Sequence, residues 1–95
     1  MLTKKRMVKS GKVRVTFVLS QPDAAAVQVL GDFTAWKGRA MRRFRDGTWR
    51  ITLDLAPGRE FRFRYLIDGA RWENDWAADR YEPNPHGTDD SIVVT

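Results

Sequence analysis

The 95-residue chain has one histidine, His86, and no cysteine. Without cysteine there is no disulfide framework and no thiolate metal site. The serines Ser10, Ser20 and Ser91 lack the strand-turn-helix setting of a catalytic nucleophile. Asp89 and Asp90 are adjacent carboxylates. A glycosidase needs two carboxyl groups across a bound sugar, whereas neighbours on a strand point to opposite faces. His86 with Asp89 and Asp90 is an unspecific pattern for a metal, and a polar loop is the simpler reading. No glycine-rich phosphate motif occurs. The expectation is a protein that is not an enzyme and has no metal or cofactor.

Binding chemistry is better represented. Trp36 lies among small and polar residues, where core patterning does not demand it. Trp72 lies just after a turn. An exposed aromatic ring is a flat apolar platform with a negative face, and it matches the C–H face of a glucose ring. Arg64, planar and able to make two parallel hydrogen bonds, can serve hydroxyls at the rim of such a platform. The bland alternatives are that Trp36 plugs one end of the core and that Trp72 is buried.

The elements that must position these residues centre on Phe61–Trp72. Phe61, Phe63, Tyr65 and Ile67 alternate with Arg62, Arg64 and Leu66, the period of a strand buried on one face. Asp68-Gly69 then reverses the chain, because glycine takes positive φ cheaply and aspartate tolerates it. With a two-residue turn, Trp72 pairs with Tyr65 and joins the core. With the three-residue loop Asp68-Gly69-Ala70, Trp72 pairs with Leu66 and shares the outer face with Arg64. The longer loop is favoured, since it leaves Arg71 at a hairpin end, where its stem can snorkel.

Similar alternation predicts strands over residues 12–19, 27–30, 48–55 and 91–95, and a short one within 41–44. Residues 31–39 read as a loop. Residues 74–90, with Pro83, Pro85 and Gly87, read as a long irregular stretch. Short strands at regular spacing with turns between them predict an all-β, immunoglobulin-like sandwich. Phe17, Trp49, Phe61, Phe63 and Tyr65 are assigned to its core. Trp76 and Tyr81 either cover the sheet edge or extend the aromatic platform, cover being favoured, and Arg62 is read as a solvated strand charge, with a rim contact as the alternative.

Two motifs carry a resemblance that spans roughly residues 13–95. They are Gly31-Asp32-Phe33-Thr34-Ala35-Trp36 and, downstream, Tyr65-Leu66-Ile67-Asp68-Gly69 with Trp72. In this order they resemble a family-48 carbohydrate-binding module. That family includes the glycogen-binding domain of the AMP-activated protein kinase β subunit and the early-set domain of isoamylases and branching enzymes. The resemblance implies an early-set sandwich that binds α-1,4-linked glucan of the glycogen or starch type without catalysis. It also implies maltooligosaccharides as ligands and a glucan-metabolising enzyme as a partner. It puts the two stacking tryptophans at Trp36 and Trp72 and the sugar-contacting strand cation at Arg64, where the family has lysine. In the late loop Thr88 matches, His86 stands where the family has an apolar finger, and Asp90 replaces an asparagine. The implied carbohydrate site is therefore Trp36, Arg64, Trp72, His86, Thr88 and Asp90. A free-standing module over residues 12–95 is expected.

Charge suggests competing functions. Residues 1–67 hold 15 Lys and Arg against 5 Asp and Glu, and residues 68–95 hold 2 against 7. Arg42, Arg43, Arg45, Arg50, Arg62 and Arg64 invite a phosphate-tracking face, but no aromatics are interleaved with them in a nucleic-acid motif. Nucleic acid is disfavoured, and a protein-interaction sandwich that has lost sugar binding is the stronger alternative. Residues 1–11 are basic without period and are expected to be a disordered leader. They lack the apolar run of a secretory signal, and no stretch is long enough for a membrane-spanning helix. A cytoplasmic protein is expected.

Overall fold

The computed structural model describes residues 2–95. Its strands are β1 (Leu2–Arg6), β2 (Val13–Ser20), β3 (Val27–Gly31), β4 (Arg39–Ala40), β5 (Arg42–Arg43), β6 (Thr48–Leu55), β7 (Glu60–Ile67), β8 (Arg71–Glu73), β9 (Arg80–Pro83) and β10 (Asp89–Val94). They form two antiparallel sheets. One has the order β1-β2-β6-β5; the other runs β4-β3-β7-β10-β9, with β8 also paired to β7. This is the expected immunoglobulin-like sandwich.

Period-two alternation explains the core. Val13, Val15, Phe17 and Leu19 of β2 face Val27 and Val29 of β3 and Phe63, Tyr65 and Ile67 of β7, all buried. Phe17, Phe63 and Tyr65 meet edge-to-face, at centroid distances of 5.1 and 5.7 Å, the geometry that ring quadrupoles favour. Trp49 is also buried, and Phe61 packs on the cluster from its edge.

Pairing around β7 determines where the outer-face residues meet. β3 pairs with Phe63–Ile67 along one edge. The other edge is shared, β8 taking Tyr65–Ile67 and β10 taking Glu60–Phe63. The hairpin and the C-terminal strand thus lie end to end beside β7. Beneath their junction the phenol of Tyr65 donates to the buried carboxylate of Asp75 at 2.7 Å. Burial and that neighbouring carboxylate push the phenol's pKa far up. Ser91 Oγ accepts the Asp75 N–H at 2.9 Å and donates to Asn74 Oδ1 at 2.9 Å. The chain leaving β8 is therefore pinned to β7 and β10.

Two expectations are corrected. Residues 2–6 of the expected disordered leader form β1, in register with β2 from Leu2↔Phe17 to Arg6↔Val13. The strand is held by its backbone and by Lys4, which bonds Asp79 and the Val94 carbonyl. Only Leu2 packs on the core, so no burial period was there to read. Met1 lies outside the described residues. The stretch 74–90 likewise contains β9, which pairs with β10.

Candidate functional site

The hairpin adopts the three-residue loop. Ile67 pairs with Arg71 and Leu66 with Trp72. Asp68 and Gly69 both take the left-handed conformation, at φ 54° and 66°. Asp68 also accepts the N–H groups of Ala25 and Ala26 at 2.7 and 3.0 Å, which ties the loop to the approach to β3. Trp72 consequently points outward, 44% exposed. The Arg64 guanidinium lies 5.4 Å from its ring centroid, a cation–π contact.

Trp36 reaches the same face by a different construction. After β3 the chain makes a short 3₁₀ turn over Asp32–Thr34. Gly31 is required there by space: a Cβ would stand 2.5 Å from the Arg62 carbonyl oxygen and 2.8 Å from Phe63 Cβ. Phe33 drops into the core against Phe17 at 5.3 Å. Thr34 Oγ1 bonds both the N–H and the C=O of Gly31. Asp32 joins the turn to the sheet, accepting the Arg62 N–H at 2.8 Å with one oxygen and Trp36 Nε1 at 3.0 Å with the other. Trp36 has φ 59° and is 38% exposed. Each residue type in Gly-Asp-Phe-Thr-Ala-Trp except the alanine thus has a visible task in presenting the indole.

The late loop is organised by Asn84. Its Oδ1 accepts the His86 N–H at 2.9 Å, an Asx turn. Its Nδ2 donates to Thr88 Oγ1 at 2.8 Å and to Asp90 Oδ1 at 3.0 Å. The other oxygen of Asp90 accepts from Arg62 at 3.2 Å. Arg62 donates further to Glu82 at 2.7 Å and to the Pro83 carbonyl at 3.2 Å.

Together these elements enclose an open depression of about 1030 Å³. Trp36, Trp72, Arg62 and Arg64 line one part, and Pro83, Asn84, Pro85, His86, Thr88 and Asp90 the rest. All six residues assigned to the site from sequence border it. Leu30, paired with Arg64, and Ile92, paired with Arg62, are buried on this outer face although they lie outside the core cluster.

Thr88 Oγ1 is already bonded by both polar groups of the Asn84 amide, and Asp90 departs furthest from the expected sugar contact. It is 6% exposed, and both its oxygens are engaged by the protein. Its carboxylate positions Arg62 and the loop. Of the two adjacent aspartates, Asp90 borders the depression and Asp89 does not. Sequence reasoning missed Asn84 and Asp32 and undervalued Arg62. For Asn84 a signal existed in Pro83-Asn84-Pro85, where asparagine between prolines marks a turn built by its side chain. Trp76 is 86% exposed and covers no sheet edge, contrary to expectation.

Residues 4–82 match the sequence profile of carbohydrate-binding module 48, the isoamylase N-terminal domain. The chain belongs to that family. The residues of both motifs fall inside the match, and so does Trp72. Among its relatives is a 1,4-α-glucan branching enzyme (GlgB) of Photobacterium profundum, 42% identical over 52 residues. That of Bordetella pertussis is 44% identical over 54 residues. The chloroplastic protein FLOURY ENDOSPERM 6 of Oryza sativa subsp. japonica is 32% identical over 65 residues. These alignments cover 52%, 53% and 67% of this chain, but only 7%, 7% and 12% of the respective relatives. The carbohydrate-binding module therefore corresponds to a small part of each.

Proposed function

We infer that this module binds α-1,4-linked glucan without catalysing its conversion, by stacking glucose rings on Trp36 and Trp72. The observation that carries this reading is the convergence of two outward indoles and the Arg64 guanidinium on one open depression. The physical fit is direct. Indole faces receive the apolar C–H side of a pyranose. Arg64 and the His86 imidazole offer hydrogen bonds to hydroxyls around its rim, and Thr88 Oγ1, which donates to Asn84, keeps a lone pair to accept one. The 1,4-α-glucan branching enzymes among the relatives favour α-glucan as the polymer. By the same likeness, the module would work alongside an enzyme that remodels glucan, in the same chain or as a partner.

The site is open to solvent and its polar contacts are few, so affinity for a short maltooligosaccharide should be weak, on the order of micromolar to millimolar. Native electrophoresis through gels with and without glycogen tests the reading. Retardation specific to the glycogen gel is expected for the wild type and should be lost in a Trp36→Ala, Trp72→Ala double variant. Equal mobility of the wild type in both gels would contradict it. Incubation with glycogen should release no more reducing sugar than a boiled control.

A further inference from the structure

Arg62 and Arg64 lie two residues apart on the outer face of β7, yet their surroundings differ. Arg62 meets two carboxylates, Asp90 and Glu82. The other oxygen of Glu82 accepts from Arg80, and the other oxygen of Asp90 from Asn84. Every charge in this group has a partner within the protein. Arg64 has none: among the described residues its guanidinium forms no ion pair and no hydrogen bond, and it lies over the Trp72 ring. Its Nε is buried without an acceptor.

An aromatic face attracts a cation but takes up none of its five N–H donors. A guanidinium at the wall of a depression, with no carboxylate beside it, is set up for an anion from outside. The carboxylate that borders the same depression does not compete, because Asp90 is already engaged on both oxygens. A neutral sugar hydroxyl can accept one of Arg64's hydrogen bonds but leaves the charge unmet. A phosphate monoester carries about −1.5 to −2 charge and three acceptor oxygens, and it suits the guanidinium fork. On a glucosyl unit stacked against Trp72, a phosphate on the primary hydroxyl projects from the rim of the ring, clear of the indole face.

We propose that this site takes α-glucan chains bearing phosphate monoesters in preference to unmodified chains, with Arg64 as the residue that reads the phosphate. The proposal rests on the glucan-binding reading above. Calorimetry with maltoheptaose, and with maltoheptaose phosphorylated on a primary hydroxyl, separates the two. At low salt, about 30 mM, the wild type should bind the phosphorylated ligand roughly fivefold tighter than the neutral one. The gap should shrink at about 500 mM salt, where the Debye length falls to a few ångströms. Arg64→Gln should weaken the phosphorylated ligand more than the neutral one and close the gap, whereas Arg64→Lys, which keeps the charge, should retain part of it. Thermal unfolding would confirm that both variants are folded. Equal wild-type affinity for the two ligands, or a gap that persists in Arg64→Gln, would overturn the proposal and leave glucan binding standing. If neither ligand binds the wild type, the glucan reading itself falls.

Discussion

The two outer faces of the sandwich are built from similar residues and have opposite characters. On the four-stranded sheet, Arg14 pairs with Asp54 across the strands at 2.8 Å. Thr16 and Thr52 bond each other at 3.0 Å. Arg50 reaches Asp46 at 2.9 Å and covers the Phe44 ring. These side chains satisfy one another across and along the strands, as cross-strand pairs commonly do. On the other sheet, Arg64 forms no ion pair among the described residues and lies over an indole, and two tryptophans stand exposed around a depression. Arginines on a strand are thus not by themselves a sign of a binding face. Lys5 and Arg42 on the first face also form no ion pair among the described residues, so what marks the second face is the combination of such a cation with exposed indoles, Arg64 lying over Trp72 beside a depression.

The contrast can be attacked first through the scaffold that presents Trp36. Gly31→Ala drives a methyl into the Arg62 carbonyl and Phe63. It should destabilise the fold by about 3 kcal/mol, the upper range for overpacking a dense core, as read by urea denaturation. Asp90→Ala is next. It leaves Asn84 and one N–H of Arg62 without their shared acceptor, and should cost about 2 kcal/mol. It should also loosen the loop that carries His86 and Thr88, seen as faster amide exchange across residues 84–88. Asp32→Ala removes the acceptor for Trp36 Nε1 and the Arg62 N–H. A loss of about 1 kcal/mol in stability is expected, with greater mobility of the Trp36 indole in side-chain relaxation.

The smallest effect lies on the paired face and depends on pH. Asp54 is held below the ordinary carboxylate range, first by its hydrogen bond from Arg14 and also by that residue's charge. A lowered folded pKa means the carboxylate stabilises the fold above its unfolded value, near pH 4, and loses that contribution as pH falls through the folded one. Asp54→Asn should therefore lower the melting temperature slightly at pH 7, and by progressively less as the solution is acidified below pH 4. Because the pair is exposed to solvent, moderate salt should erase most of the difference.

What the sequence revealed follows the same physics. The core of β2, β6 and β7 was legible because burial imposes a period of two on Val13–Leu19, Trp49–Leu55 and Phe61–Ile67. The direction of Trp72 was legible because a one-residue change in loop length inverts its face, and because Arg71, placed opposite the inward Ile67, ends the hairpin and can carry its guanidinium out, where it bonds Gln21. β1 was not legible, since an edge strand held by backbone pairing and by Lys4, which reaches Asp79 far along the chain, leaves no pattern in its own side chains. The engaged state of Asp90 was hidden for a similar reason: its partners, Arg62 and Asn84, come from a different strand and from the loop. A match to a family position identifies the backbone slot, not what the side chain there bonds.

The central claim is that the face with the unmatched arginine and exposed indoles binds glucan and the face with matched pairs does not. Calorimetric titration of β-cyclodextrin into the wild type, Trp36→Ala, Trp72→Ala and Thr52→Ala tests it most directly. Each tryptophan variant should lose about 1–3 kcal/mol of binding free energy, as stacking platforms for flat ligands do, while Thr52→Ala on the opposite sheet should bind like the wild type. Equal affinities in all four proteins, each shown to be folded, would contradict the account.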